Sequence, residues 1–170
     1  MRSPHQLVRT QLVAAPLDEV FAFFSDAANL EALTPPFLHF RILTPLPITM
    51  HVGAQIDYQL SLFGVPLRWR TRITDWRPGC SFVDEQESGP YALWRHTHEF
   101  ESRGDCTLMR DVVSYREPFG PLGALAHVLL VGRTLDRIFD FRRDAVERLL
   151  ARTPATHSSS LARESTHAAR

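Results

Sequence analysis

The sequence predicts an α+β fold, a curved seven-stranded antiparallel sheet wrapped on one long C-terminal helix, with two short helices after the first strand. Three observations carry this reading. Residues 54–116 form a run of alternating segments separated by turn-forming residues. Residues 122–151 carry one apolar stripe near a 3.6-residue period. Pro16 opens a short amphipathic segment directly after an alternating one. A sheet of this size must bury one face, and the long helix is the large apolar surface available to cover it.

Taken in order, His5 to Ala14 reads as strand one, with Leu7, Arg9, Gln11 and Val13 alternating against Val8, Thr10 and Leu12. Pro16 stands where its missing N–H is harmless, and Asp18 and Glu19 suit the positive end of a helix dipole. Leu17/Phe21 and Val20/Phe24 are i,i+4 pairs on its apolar face. Asp26 to Leu33 is the second short helix, stopped by Thr34-Pro35-Pro36. Phe40 to Leu43 is a short strand. The remaining strands are 54–62, 67–76, 82–87, 91–101 and 106–116, with turns at Phe63-Gly64-Val65-Pro66, Arg77-Pro78-Gly79-Cys80, Ser88-Gly89-Pro90 and Ser102-Arg103-Gly104-Asp105. Pro118-Phe119-Gly120-Pro121 breaks the last strand. The long helix takes its stripe from Val128, Val131, Leu135, Ile138, Phe139, Val146, Leu149 and Leu150, with Gly132 a potential kink. Its arginines, Arg142 and Arg143 among them, read as a solvated face.

A chain of 170 residues, 44% hydrophobic and 22% charged, suits one domain burying roughly 70% of its unfolded surface. We place that domain at 1–151 and a disordered tail, rich in Ser, Ala, Thr and Arg, at 152–170. Nineteen basic residues, every one Arg, balance nineteen acidic ones for a formal net charge of zero. That disfavours a nucleic-acid binder, and the lack of Lys excludes a P-loop lysine or a lysine Schiff base. There is no apolar leader segment and no apolar run of membrane-spanning length. Cys80 and Cys106 fall in turns about 10 Å apart, too far for a disulfide. Two free thiols fit a cytoplasmic protein.

Counting back from the turns gives the strand registers. A four-residue turn at 77–80 pairs Trp76 with Ser81, and so Arg72 with Glu85 and Arg70 with Glu87. Opposite charges facing each other mark that side as the wet one. Leu67, Trp69, Thr71 and Ile73 then face inward with Phe82, Asp84 and Gln86. Around the next turn, Glu101 pairs with Cys106, which sets His96 against Asp111, His98 against Met109 and Trp94 against Val113. Joining the two hairpins needs a bulge or an odd-length loop near Gly89-Pro90, and one allowed register puts Asp84, His96 and Asp111 side by side across three strands. The inner face thus offers Tyr58, Trp69, Thr71, Asp84, Gln86, Trp94, His96, His98, Asp111 and Tyr115 as candidate ligand-binding residues. So many polar groups on a packed face would cost about 1–3 kcal/mol each if unpaired. They either satisfy one another or line a cavity, and apolar walls with a few convergent polar groups describe a small-molecule site.

This order of elements resembles the helix-grip fold of the START-related, polyketide cyclase-like superfamily (SRPBCC), and its bacterial ligand-binding subgroup in particular. The resemblance covers about residues 5–151. It rests on Pro16-Leu17-Asp18-Glu19-Val20-Phe21, Asn29-Leu30 to Thr34-Pro35-Pro36, Gly89-Pro90-Tyr91 to Trp94 with His96 and His98, and Pro118-Phe119-Gly120-Pro121-Leu122-Gly123. It implies an internal apolar cavity between sheet and long helix, its mouth near Phe63 to Pro66, Ser88 to Tyr91 and Glu117 to Pro121. It transfers no catalytic residue.

The expectation is therefore binding or transport of a hydrophobic small molecule: a polyketide-like aromatic, a quinone or a lipid. One alternative is a polyketide cyclase or dehydratase using Asp84, His96 and Asp111 as acid/base groups. Another is an interaction module whose groove holds a partner segment. His96 and His98 with Asp111 have the makings of a zinc ligand set, but a hydrogen-bonded network is the simpler reading, so no metal or cofactor is expected. No nucleic acid or specific protein partner is expected. Phe63, Val65, Phe119 and Leu122 at the mouth would allow transient membrane contact.

Overall fold

The structure is a computed structural model that describes residues 3–62, 64–118 and 131–150. Strand β1 (His5–Val13) leads into α1 (Leu17–Ser25), then two 3₁₀ turns (Ala27–Leu30 and Pro36–Leu38). Next come β2 (Arg41–Ile42), β3 (Gln55–Leu62), β4 (Val65–Arg77), β5 (Ser81–Ser88), β6 (Leu93–Arg103) and β7 (Cys106–Arg116). Helix α2 (Gly132–Leu150) follows. The seven strands form one sheet in the order β1-β7-β6-β5-β4-β3-β2, every neighbour antiparallel. The predicted architecture stands, with the second short helix shrunk to 3₁₀ turns. The expected tail from 152 and the turns of the long helix at 122–130 lie outside the described residues, as do Phe63, Phe119 and Leu122.

Two registers differ from expectation. The β4–β5 loop has three residues, Pro78-Gly79-Cys80, so Arg77 faces Ser81 and Trp76 faces Phe82. A bulge at Thr74 absorbs one residue and returns Arg72 to its expected partner Glu85. A second irregularity past Thr71 leaves Arg70 opposite Ser88. The outer-face charges still pair, with other partners: Arg70 with Asp57 at 2.7 Å, Arg72 with Glu87 at 2.5 Å and Arg95 with Glu85 at 2.8 Å. The β6–β7 turn has two residues, Gly104-Asp105, so Arg103 faces Cys106. Gly104 sits at φ +69°, a left-handed conformation that Gly adopts freely. His98 therefore stands opposite Asp111, His96 opposite Val113, and Trp94 opposite Tyr115. The shift is two residues, an even number, so every side chain keeps its predicted face. Cys80 and Cys106 are both free thiols.

Two apolar clusters pack under the sheet. One joins Val20, Phe21 and Phe24 of α1 to Ile73, Phe82, Phe100 and Met109 of the sheet and Val146 and Leu150 of α2. The other joins Val113 and Tyr115 to Leu135 and Phe139 of α2. Leu149, expected in the stripe, is 51% exposed, because Ala145 and Val146 already occupy the buried side of that turn.

Phe100 touches the rings of Phe21, Phe24 and Phe82 with centroids 5.4–6.0 Å away. Phe100→Ala is expected to lower stability by about 3–5 kcal/mol, and Leu149→Ala by under about 0.5 kcal/mol. Urea denaturation midpoints at constant m-value check both.

Candidate functional site

Between the inner face of the sheet and α2 lies a cavity of about 200 Å³. Its walls are mostly apolar. Phe23 and Phe24 of α1 close one side, and Leu30, Leu33 and Leu38 from the 3₁₀ segment continue it. That segment is pinned locally: Asp26 accepts from the Ala28 amide at 2.9 Å, Asn29 donates to the Phe23 carbonyl at 2.8 Å, and Thr34 donates to the Leu30 carbonyl at 2.6 Å. Leu135, Ile138 and Phe139 of α2 form the lid, with Arg142 one turn further on. Aromatic rings crowd the end nearest β3 and β4. Tyr58 stacks on Trp69 at 5.8 Å, and Trp69 meets Trp94 edge-on at 5.2 Å and Tyr91 at 5.6 Å.

One wall is polar, and two carboxylates organise it. Asp111 Oδ1 accepts from His96 Nε2 at 2.9 Å and lies 3.0 Å from His98 Nδ1. His98 Nε2 donates to Asp84 Oδ2 at 3.0 Å. His96 Nδ1 is 3.7 Å from the same Asp84 oxygen, too long for a hydrogen bond. Thr71 donates to the Glu85 carbonyl at 3.1 Å and stands 3.3 Å from Asp84 Oδ1. From α2, Arg142 Nη2 reaches within 3.8 Å of Asp111 and 3.4 Å of His98 Nδ1. Phe82 stacks on the His98 ring at 4.2 Å and Phe139 meets His96 edge-on at 5.6 Å. The polar cluster thus sits at the seam between the two apolar clusters.

Burial works against every charge here, so the resolved charges are those whose partners overcome it. For Asp111, burial is outweighed by Arg142 and by the two histidines, which hold its carboxyl well below the usual range. For Asp84, burial is outweighed by the His98 hydrogen bond and nearby positive charge, and its pKa is lowered. His98 loses to burial but gains more from hydrogen bonds to Asp111 and Asp84, so its pKa is raised. His96 is lowered by burial and by the His98 charge beside it, at 3.8 Å between ring centroids. The directions favour the ionised form of both carboxylates and a proton on His98 before one on His96. Burial, then the charge of Asp84, pushes the Tyr58 phenol well above its usual range, so it stays an O–H.

Of the ten residues chosen from sequence, seven line the cavity: Tyr58, Trp69, Thr71, Asp84, Trp94, His96 and His98. Three do not. Gln86 spends its amide on Tyr91, donating to its carbonyl at 2.7 Å and accepting from its N–H at 3.1 Å, so it shapes the β5–β6 connection. Asp111 lies behind the histidines, against a smaller crevice lined by Arg9, Gln11 and Arg143. Tyr115 packs beside Tyr91 and Trp94, behind the aromatic end. Val65, expected at the mouth, is 56% exposed and does not line the cavity. The sequence reading also missed Arg142, whose side chain is only 13% exposed. The signal was there: Arg142 is three residues after Phe139 and four before Val146, on the buried stripe.

The two histidine shifts act in opposite directions on stability. His96 has a lowered folded pKa, so the stability it confers is lost as pH falls below its unfolded value of about 6.5. His98 has a raised one, so its contribution is complete below 6.5 and lost as pH rises through the folded value. Asp84 and Asp111 add stability above about 3.8 that disappears on acidification. Stability is therefore expected to peak near pH 6.5, and His98→Gln is expected to flatten the alkaline limb. Urea midpoints from pH 4 to 9 check this.

No helix among the described residues is long and apolar enough to cross a membrane. No curated protein matches the sequence. Solved structures share the fold. The Zhui aromatase/cyclase from Streptomyces sp. R1128 superposes with a TM-score of 0.70 at 16% identity, over 86% of this chain and 93% of that one. A START superfamily protein from Mycobacterium smegmatis gives 0.62 at 18% identity, over 85% and 99%. Ginseng major latex-like protein 151 from Panax ginseng gives 0.62 at 11% identity, over 89% and 100%. A family model described as polyketide cyclase / dehydrase and lipid transport matches residues 13–142, from the end of β1 to the arginine that completes the polar wall. On that match, the chain belongs to the polyketide cyclase/dehydrase and lipid transport family.

Proposed function

We propose that this protein binds a hydrophobic small molecule carrying one polar pole, and holds it between the sheet and α2. The carrying observation is the asymmetry of the cavity. Aliphatic and aromatic side chains make most of its wall, while Asp84, His96, His98 and Arg142 gather on one patch. Apolar walls supply affinity, and the patch fixes orientation. The rings of Tyr58, Trp69, Tyr91 and Trp94 favour a flat aromatic or quinone-like ligand, a polyketide-like aromatic among them, over a purely aliphatic lipid. The family and three solved structures of the same fold are compatible with ligand binding in general, and the ligand class is our reading of the walls.

A second reading, an enzyme of the cyclase or dehydratase type, has one observation in its favour. His96 is neutral, its Nε2–H is held by Asp111, and its Nδ1 lone pair is left unused 3.7 Å from Asp84. A neutral imidazole with a fixed tautomer on a cavity wall is a base ready for a proton.

Native mass spectrometry after mild purification, and displacement of 1-anilinonaphthalene-8-sulfonate by aromatic, quinone and fatty-acid ligands, test the first reading. A bound or displaceable apolar ligand is expected, with Trp94→Leu weakening it about tenfold. A folded protein that neither carries nor takes up any of them overturns it. The enzymatic reading expects a bell-shaped pH–rate profile and loss of turnover in His96→Ala with binding retained. Binding without turnover across a polyketone panel rejects it.

A further inference from the structure

We propose that Asp84, His96 and His98 form a site for a divalent transition metal, zinc by its ligand chemistry, with an open coordination position facing the cavity. Each of the three offers a donor atom, and these atoms lie within 4.8 Å of one another. A tetrahedral zinc with bonds of about 2.1 Å needs donors about 3.4 Å apart. Asp84 Oδ2 is 3.0 Å from His98 Nε2 and 3.7 Å from His96 Nδ1, one on each side of that spacing. The two imidazole nitrogens lie within 4.8 Å of each other, so closing on an ion draws the two rings together toward that spacing.

The arrangement behind the ligands supports the site independently. A metal-bound imidazole uses one nitrogen for the ion and normally donates its other N–H to a carboxylate or carbonyl. Here one carboxylate serves both rings, since Asp111 Oδ1 is 2.9 Å from His96 Nε2 and 3.0 Å from His98 Nδ1. The hydrogen bond to Asp111 holds His96 Nε2 and leaves Nδ1 toward Asp84, while His98 already turns Nε2 to Asp84 at 3.0 Å. Arg142 lies on the Asp111 side, nearest to His98 Nδ1 at 3.4 Å, so the guanidinium meets the ring nitrogen that would not bind the ion.

Charge and position define what the open site takes. Asp84, Asp111 and Arg142 sum to −1, so a divalent ion held by two neutral imidazoles leaves +1. A hydroxide, or an anionic oxygen such as an enolate or phenolate, restores neutrality in a buried place where net charge is costly. The three ligands line the cavity, so the fourth position opens toward the space where a small molecule would lie. Only this last step rests on the binding role proposed above; the ion itself does not.

The test uses the full chain, stripped with chelator and titrated with Co(II), then Zn(II) in competition. The expected result is one strong site per chain, with the intense visible bands of a four- or five-coordinate Co(II) centre and a spectral change on adding acetohydroxamate. His96→Gln with His98→Gln is expected to abolish that site, and Asp111→Asn to weaken it about 10–100-fold, with circular dichroism monitoring the fold. Should the double variant unfold, the intact protein decides by NMR. Paramagnetic Co(II) must shift the imidazole signals of His96 and His98 and spare those of His39 and His51. Metal uptake confined to other histidines, or equal affinity in wild type and folded double variant, overturns the site. A metal-loaded protein that takes no apolar ligand would refute the binding role and leave the site standing.

Discussion

Two carboxylates placed under a helix in the middle of an apolar sandwich are the constraint on which this structure turns. Neither Asp84 nor Asp111 can stay ionised there without positive charge brought to it, because desolvation alone would neutralise both. The chain meets this from two directions. β6 supplies two imidazoles at i,i+2, which a strand places on one face, and α2 supplies Arg142 from above. Each element alone would be an error: a buried arginine on a helix, or two buried carboxylates on the strands either side of β6. Together they neutralise one another, and in doing so they hold the helix over the sheet at one height. Aromatic packing on both flanks, Phe82 on His98 and Phe139 on His96, then excludes the water that would loosen the arrangement.

The two carboxylates do different work because they stand at different depths. The Asp111 side chain is 8% exposed, accepts from His96 and lies 3.0 Å from His98 Nδ1, so it holds geometry. The Asp84 side chain is 18% exposed, lines the cavity, and keeps one oxygen between the two rings. A single deeper acid would orient the imidazoles and offer nothing to a ligand. A single shallower one would leave their outward nitrogens unheld. The crevice on the far side, lined by Arg9, Gln11, Asp111 and Arg142, shows that the cluster is also the partition between the cavity and the edge where β1 meets α2. Gln11 donates to the Arg143 carbonyl at 3.0 Å and Arg9 pairs with Asp136 across that edge.

How much of this was legible in the residues follows from what kind of information each feature needs. Face assignment needs only period two, and alternation puts Trp94, His96 and His98 on one face. Register needs the length of each turn, and turn length is where Gly-containing segments are ambiguous. Ser102-Arg103-Gly104-Asp105 looked like four loop residues, yet Gly104 at positive φ lets two suffice, moving the partner of His98 from Met109 to Asp111. The error cost no face because it was even. The β4–β5 hairpin came out right at Arg72 only because a bulge at Thr74 cancelled an odd error, and nothing in the local sequence announces a bulge. Gln86 and Tyr115 were on the correct side, but period two cannot say whether an inward side chain reaches a cavity or spends itself on the backbone beside it.

Arg142 shows a different limit, one of prior rather than of signal. Its spacing from Phe139 and Val146 put it on the buried stripe, but an arginine among arginines reads as solvated face when charge is counted by element. The decisive comparison lies across elements. An inner sheet face carrying Asp84 and Asp111 against two histidines has at most two positive charges if both rings are protonated, and protonating adjacent rings 3.8 Å apart is itself unfavourable. A further fixed cation was therefore required by the sheet before the helix was considered. From the helix Arg142 reaches down while its aliphatic stem stays among aromatic rings, over Phe24 at 5.1 Å and near Phe139 at 6.0 Å. Charge balance across the core, applied before charge is assigned to surfaces, identifies the residue that the helical pattern alone concealed.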